Sequence, residues 1–199
     1  MNTARMLEPS PLMTVEEFLT WPGDGTGRRF ELVDGVVRMQ DSASATHGTI
    51  QSRLNIIIGN HLDATRPGCR AVVTPGVAPR LSADWNYREP DLGVTCAPDR
   101  PDQHMLPEPV LLIEILSPSN ADKTWSNIPL YATLPSVREI LIVHSTEVLV
   151  QLLRRHEDGS WPHRPTRCGP GQSVRLESID LDIPLRDIYR TTHLAASAE

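Results

Sequence analysis

Apolar residues fill positions 110–116 of the chain except for one carboxylate, Glu114. A continuous apolar run of this length, followed here by the turn residues Ser117-Pro118-Ser119, is typical of a β-strand that is covered on both faces. A charged carboxylate is tolerated in such a strand only when it is paired, hydrogen-bonded or bound to a metal. The pattern therefore predicts that another part of the chain supplies a partner for Glu114.

The candidate partner is Asp91, which directly follows Pro90 and opens a second apolar strand. Proline cannot donate to a central hydrogen-bond ladder, so it marks the start of that strand. Two acids on neighbouring strands suggest a bound cation. A hard divalent cation such as Mg²⁺ prefers one or two carboxylates together with waters and substrate phosphates. We therefore predict that Asp91 and Glu114 are metal ligands.

The first part of the chain carries two strong local signals. Thr14 and Glu17 have the spacing of a capping box, which predicts that a short helix starts at Thr14. Further on, Asp34-Gly35 separates two short apolar strands and predicts a two-residue hairpin turn. A third acid, Glu31, lies on the first strand of this hairpin.

A long helix is predicted over 46–62, because apolar side chains recur there at helical spacing. His47 and Gln51 share one face near its start. The remaining predicted elements are strands at 69–74, 76–81, 139–144, 148–154 and 174–176, a surface loop at 97–109, a helix capped by Ser119, and a last helical turn at 184–189. This order predicts a single domain over 14–190, with flexible segments at 1–13 and 191–199.

Composition narrows the possible function classes. With 39% hydrophobic and 22% charged residues, the chain is typical of a globular protein. The net charge of -6 argues against a protein that coats nucleic acid through a general positive field. No apolar segment has the length of a membrane span and the N-terminus lacks an apolar signal core, so we expect a cytoplasmic protein.

The three cysteines are Cys69, Cys96 and Cys168. Their odd number and the lack of a C-x-x-C spacing argue against a disulfide framework and against a structural zinc site. We expect all three to be buried thiols.

Motifs for several competing chemistries are missing from the sequence. It contains no G-x-S-x-G elbow, no phosphate-binding P-loop and no H-E-x-x-H pair. His47 and His61 lie on the same predicted helix, but their separation does not fit a zinc site. The acids on the strands are therefore the strongest candidates for chemistry.

Several short motifs in order resemble a known family. They are Phe30-Glu31-Leu32-Val33-Asp34-Gly35, then His47, Glu89-Pro90-Asp91, Ile113 to Ser119, Tyr131, and Pro135-Ser136-Val137-Arg138-Glu139. This arrangement is similar to the PD-(D/E)XK nuclease superfamily and, more closely, to the Uma-type restriction endonuclease family. The resemblance covers roughly residues 14 to 189.

The resemblance implies an α/β (α+β) fold with a restriction-endonuclease-like core, in which a central mixed β-sheet is flanked by helices. Asp91 and Glu114 match the metal-binding acids of the family, for Mg²⁺ or Mn²⁺, and Glu31 matches a further acid that would assist through a bound water or as a second ligand. The implied activity is hydrolysis of phosphodiester bonds in nucleic acid, with DNA as the expected substrate. Many nucleases of this fold are homodimers, and we expect one here.

One position departs from the superfamily pattern. Leu116 occupies the place of the superfamily lysine, and the family places its lysine at the position of Asn127 instead. Lys123 lies one helical turn earlier and can share a face with Asn127. We expect Lys123 to stabilise charge on the phosphate during hydrolysis, and His47, Gln51 and Asn127 to line the pocket.

Two alternatives stay open at this point. The missing lysine and the acidic net charge also fit a catalytically degenerate domain that keeps the fold and serves as an interaction or regulatory module. A small-molecule phosphoesterase on the same scaffold is the third possibility, because a fold does not fix a function.

Overall fold

The computed structural model describes residues 12–40 and 42–199. Within them the chain forms four α-helices: α1 (Val15–Thr20), α2 (Ala45–Thr65), α3 (Ala121–Tyr131) and α4 (Leu185–Tyr189). The strands are β1 (Phe30–Val33), β2 (Val36–Met39), β3 (Arg70–Val73), β4 (Leu92–Thr95), β5 (Pro109–Leu116), β6 (Glu139–His144), β7 (Val150–Arg154), β8 (Thr166–Cys168), β9 (Ser173–Leu176) and β10 (Leu181–Pro184).

A six-stranded mixed sheet forms the centre of the fold, with the strand order β3-β4-β5-β6-β7-β8. Only β5 and β6 pair in parallel, and the other neighbours in this sheet are antiparallel. A parallel pair needs a crossover connection, which α3 supplies here. Helices pack on both faces of the sheet, so the predicted fold class is confirmed.

Strand β5 is buried on both faces, as its apolar run predicts. Leu111, Ile113 and Ile115 pack in the apolar cluster that includes the inner face of α2. Leu112 points to the opposite face and packs with Tyr131 of α3. Because side chains alternate along a strand, Glu114 shares the face of Leu112 and points towards α3.

The N-terminal elements form as the sequence predicts. Thr14 and Glu17 make a reciprocal capping box at the start of α1, and β1 and β2 pair around the turn at Asp34 and Gly35. The backbones of Leu32 and Tyr87 exchange two hydrogen bonds of 3.0 Å. This pairing docks the hairpin beside the segment that leads into β4.

Two predicted elements are wrong in detail. Residues 76–81 do not form a strand. They contribute one isolated β-bridge, in which Val77 pairs with Arg88. The Tyr87 ring packs directly on Gly76, and the ring fills the space beside this segment. The N-terminal cap of α3 is Asn120, not Ser119. Its side chain makes no capping bond and instead accepts from the Ser117 N–H and donates to the Ile115 carbonyl.

The prediction for the cysteines is also wrong. Cys69 and Cys96 form a disulfide, and Cys168 is a half-buried free thiol. In the pairing of β3 with β4, Arg70 lies opposite Thr95, so the next pair outwards is Cys69 and Cys96. This register cannot be read from the spacing of cysteines along the chain.

The C-terminal residues contact the core. Leu194 and Ala198 are buried in the cluster on the α2 face of the sheet, and the Ala198 carbonyl accepts from the Gly171 N–H. The flexibility of 191–199 stays a prediction, and these contacts would have to break for the segment to move. The predicted flexible N-terminus lies almost entirely outside the described residues. No helix within the described part of the chain has the length and apolar character to cross a membrane.

Candidate active site

The strand register brings the two predicted metal ligands together. Leu92 of β4 pairs with Ile113 of β5, so the next residues outwards, Asp91 and Glu114, lie opposite each other. The Oδ2 atom of Asp91 accepts a hydrogen bond of 2.7 Å from the Ile115 N–H. This bond fixes the Asp91 carboxylate against the end of β5, beside Glu114.

Glu114 is almost fully buried, and one of its oxygens is held by two donors. The Tyr131 hydroxyl donates to Oε1 at 2.6 Å, and the Asn127 amide donates to the same atom at 3.2 Å. In the described part of the chain no hydrogen bond reaches Oε2. Burial raises the pKa of Glu114 to about 8, and repulsion from Asp91 adds to this rise.

Helix α2 contributes two contacts to Asp91. The Nε2 atom of His47 lies 3.3 Å from Oδ1 of Asp91, and the Gln51 amide donates to the Asp91 backbone carbonyl at 2.8 Å. Among the described residues, the buried Nδ1 atom of His47 has no hydrogen-bond partner. Asp91 therefore lies between β5 on one side and the first turns of α2 on the other.

Glu31 and Lys123 form an ion pair between the hairpin and α3. The Nζ atom of Lys123 lies 3.0 Å from Oε2 of Glu31, and the Glu89 N–H donates to Oε1 of Glu31 at 2.9 Å. Glu31 is buried, whereas the Lys123 side chain is 38% exposed. Lys123 is the only lysine in the sequence. Apart from the histidines, every other basic side chain is an arginine.

A cleft of about 480 Å³ opens at this end of the sheet. Five of the predicted site residues line it: Asp91, Glu114, His47, Gln51 and Lys123. Asn127 does not line the cleft, contrary to the prediction. It is buried behind Glu114, because its position on α3 faces the sheet and its amide donates to the carboxylate. Glu31 lies beside the cleft and reaches it through Lys123.

The structure adds a polar wall that the sequence prediction did not include. Oε2 of Glu89 accepts from the Arg29 guanidinium at 2.7 Å and from the Gln40 amide at 2.8 Å. All three residues line the cleft, as does Arg28. The sequence position of Glu89 could have indicated its place in the cleft. Glu89 lies two residues before Asp91, so both side chains point to the same side of an extended segment.

Tyr131 and Asn120 are also functional candidates that residue patterns did not assign. Tyr131 belongs to the motif that resembles the family, but its contact with Glu114 depends on how α3 packs on β5. Asn120 ties the end of β5 to the start of α3 through Ser117 and Ile115. The buried acid Glu114, which needs a donor, is the signal that points to Tyr131.

A larger cavity of about 660 Å³ lies elsewhere, at the opposite end of β5. Its lining includes Leu106, Pro107, Pro109, Leu134 and Pro135. It contains none of the predicted site residues. The smaller cleft is therefore the better candidate for an active site, because it carries the paired acids.

The donor set of the cleft fits a hard cation with few protein ligands. Oε2 of Glu114 accepts no hydrogen bond from the described residues, and the contact of Oδ1 of Asp91 is the Nε2 atom of His47 at 3.3 Å. Across residues 12–40 and 42–199, no group of three or more histidine, cysteine, aspartate or glutamate side chains is arranged to hold a metal ion. Two acids can serve Mg²⁺, which keeps several waters and also binds substrate phosphates.

Comparisons with known proteins identify the family and the fold of the chain. The family model described as "Uma2: Putative restriction endonuclease" matches residues 15–186. An uncharacterized protein from Synechocystis sp. is 31% identical over 184 residues, which cover 92% of this chain and 94% of that protein. A crystal structure from Anabaena variabilis, described as a "putative nuclease", is similar in fold with a TM-score of 0.69 at 20% identity, and the match covers 89% of this chain and 97% of that chain. Because the family model spans most of the chain, the protein belongs to the Uma2 family, whose model is described as "Putative restriction endonuclease".

Proposed function

We propose that the protein is a metal-dependent endonuclease that hydrolyses phosphodiester bonds, with DNA as its substrate. One observation carries the proposal: Asp91 and Glu114 lie opposite each other on adjacent strands and both line a cleft. The family match supports nuclease chemistry, and the buried position of Glu114 supports a cation as its missing partner.

Asp91 and Glu114 would hold Mg²⁺ or Mn²⁺ through Oδ1 and Oε2. When bound, such a cation polarises a phosphodiester and lowers the pKa of the attacking water. The Ile115 N–H, the Tyr131 hydroxyl and the Asn127 amide keep the two carboxylates in place. The protein therefore provides a fixed pair of ligands before any substrate arrives.

Lys123 would supply positive charge to the substrate phosphate. Its ammonium lies at the cleft, where it can stabilise the charge that develops on the phosphate oxygens. Both oxygens of Glu31 are already engaged, one by Lys123 and the other by the Glu89 N–H. We therefore assign Glu31 the role of positioning Lys123, in place of the metal-ligand role that the family resemblance suggests.

The remaining cleft wall fits a nucleic-acid backbone. Arg28, Arg29 and Lys123 bring three cationic side chains to a protein whose net charge is -6. Arg29 is paired with Glu89 and Lys123 with Glu31, whereas Arg28 has no carboxylate partner among the described residues. All three side chains carry N–H donors that phosphate contacts can use. We further propose that two copies of the chain act together, one for each strand of a duplex.

A cleavage assay tests this function. Purified protein is incubated with Mn²⁺ and either supercoiled plasmid or single-stranded DNA, and the products are separated on a gel. Asp91→Ala and Glu114→Ala should each abolish cleavage, whereas Asp182→Ala, which removes an exposed acid on β10, should not. Cleavage that survives either of the first two substitutions would refute the metal assignment.

A non-catalytic module is the second candidate, and Leu116 favours it. This half-buried side chain packs against the apolar cluster on the α3 face, so the position of the superfamily lysine supplies no charge to the cleft. Such a module would retain the cleft without using it for cation binding. Titration calorimetry with Mn²⁺ separates the two functions, because a degenerate cleft binds no cation in the physiological range.

A further inference from the structure

The two oxygens of Glu114 differ in how many hydrogen bonds they accept. Oε1 accepts two, from Tyr131 and Asn127, while Oε2 accepts none from the described residues. Resting on the proposed metal site, we infer that Tyr131 and Asn127 restrict Glu114 to a single cation-binding oxygen, and that this restriction selects Mg²⁺ or Mn²⁺ over Ca²⁺.

The restriction follows from the acceptor capacity of a carboxylate oxygen. Each oxygen offers about two lone-pair sites, and both sites of Oε1 are used. Tyr131 and Asn127 are 0% and 1% exposed, respectively, so water does not compete for these bonds. Bidentate coordination by Glu114 would require at least one of the two bonds to break in a buried environment, where an unpaired polar group is costly.

Asp91 is limited in the same way. Its Oδ2 atom accepts from the Ile115 backbone N–H at 2.7 Å, and a backbone donor within a sheet cannot swing away. Its Oδ1 atom lies 3.3 Å from Nε2 of His47. Each of the two acids therefore has one oxygen held by a short hydrogen bond, and the other oxygen is the one left for a cation, with His47 beside it in the case of Asp91.

Two single oxygens suit one class of cation better than the other. Mg²⁺ takes about six ligands in a near-ideal octahedron and retains waters, so one oxygen from each acid is sufficient. Ca²⁺ takes about six to eight ligands and often uses both oxygens of a carboxylate. Tyr131 and Asn127 are thus positioning residues, since they act on the cation through Glu114.

The test compares Mn²⁺ and Ca²⁺ binding by titration calorimetry, without substrate. Tyr131→Phe and Asn127→Ala each free one site on Oε1. We expect Mn²⁺ to bind about tenfold more weakly to each variant, because a ligand loses its supporting hydrogen bond. The affinity for Ca²⁺ should fall less, because the freed oxygen of Glu114 can also coordinate Ca²⁺. The ratio of Mn²⁺ affinity to Ca²⁺ affinity should therefore fall.

Tyr189→Phe is the matched control. Tyr189 is also fully buried, but its hydroxyl accepts from the Leu149 N–H and lies within hydrogen-bond distance of the His144 and Leu149 carbonyls, away from Glu114. This variant should keep the wild-type affinity ratio. Circular dichroism verifies folding, and Asn127→Ser replaces any variant that fails to fold.

The possible outcomes separate this inference from the proposed function. If wild-type protein binds Mn²⁺ and the affinity ratio is unchanged in both Tyr131→Phe and Asn127→Ala, the selectivity inference is refuted while the metal site stands. If the wild-type protein binds neither cation, both the proposed function and the inference are refuted.

Discussion

The Nζ atom of Lys123 lies 3.0 Å from Oε2 of Glu31, and this contact joins α3 to the N-terminal hairpin beside the paired acids. Glu31 is buried and Lys123 is the only lysine in the sequence. Lysine differs from arginine in carrying a compact charge on a flexible stem. A single ammonium in an otherwise arginine-rich chain therefore lies at the site where the proposed chemistry needs it.

Substitution of Lys123 by alanine should slow cleavage rather than weaken DNA binding. The loss of one charge-stabilising donor is expected to reduce kcat by about 100-fold, with a smaller change in KM. Steady-state cleavage of a short labelled duplex measures both constants. Arg186→Ala removes an exposed cation from α4, and should leave kcat unchanged. An unaltered kcat in Lys123→Ala would remove Lys123 from the mechanism.

The buried Glu114 should make stability depend on pH in the absence of a metal. Its pKa is raised from the ordinary value of 4.5 to about 8, so the folded state binds this proton more tightly than the unfolded state does. The resulting stabilisation is complete below pH 4.5 and is lost as the pH rises through 8. Melting temperatures of metal-free protein between pH 5 and 9 should fall more steeply in the wild type than in Glu114→Gln. If the melting temperatures of the wild type and of Glu114→Gln changed with pH in parallel, the raised pKa of Glu114 would be contradicted.

The disulfide between Cys69 and Cys96 should stabilise the edge of the sheet. The two residues are separated by 27 positions, and closing a loop of that length is expected to contribute about 3.5 kcal/mol. Reduction should lower the melting temperature of the wild type but not of a Cys69→Ser, Cys96→Ser double variant.

Thiol titration of the unfolded, unreduced protein gives a separate measure of the same bond. One reactive thiol, Cys168, is expected per chain. Three thiols would show that the bond does not form in the purified protein.

Local sequence signals predicted the elements that local interactions form. The Asp34-Gly35 turn and the Thr14 capping box depend on residues within a few positions of each other, and both are observed. The apolar run around Glu114 also identified the central strand, because burial on both faces leaves a recognisable composition.

Features that depend on register or on the packing of distant elements could not be predicted in the same way. The bond from Cys69 to Cys96 follows from the pairing of β3 with β4, which the spacing of the two residues does not reveal. Asn127 was expected in the pocket, but the face of α3 that packs on β5 places it behind Glu114. Residues 76–81 have the composition of a strand, yet the Tyr87 ring occupies the space beside Gly76.

A crystal soaked in Mn²⁺ tests the central claim most directly. An anomalous difference map locates the ion without reference to activity or to the nature of the substrate. The proposed site predicts a peak in the cleft within about 2.5 Å of both Oε2 of Glu114 and Oδ1 of Asp91. A cleft without a peak, or an ion that contacts neither oxygen, would contradict the proposed metal centre.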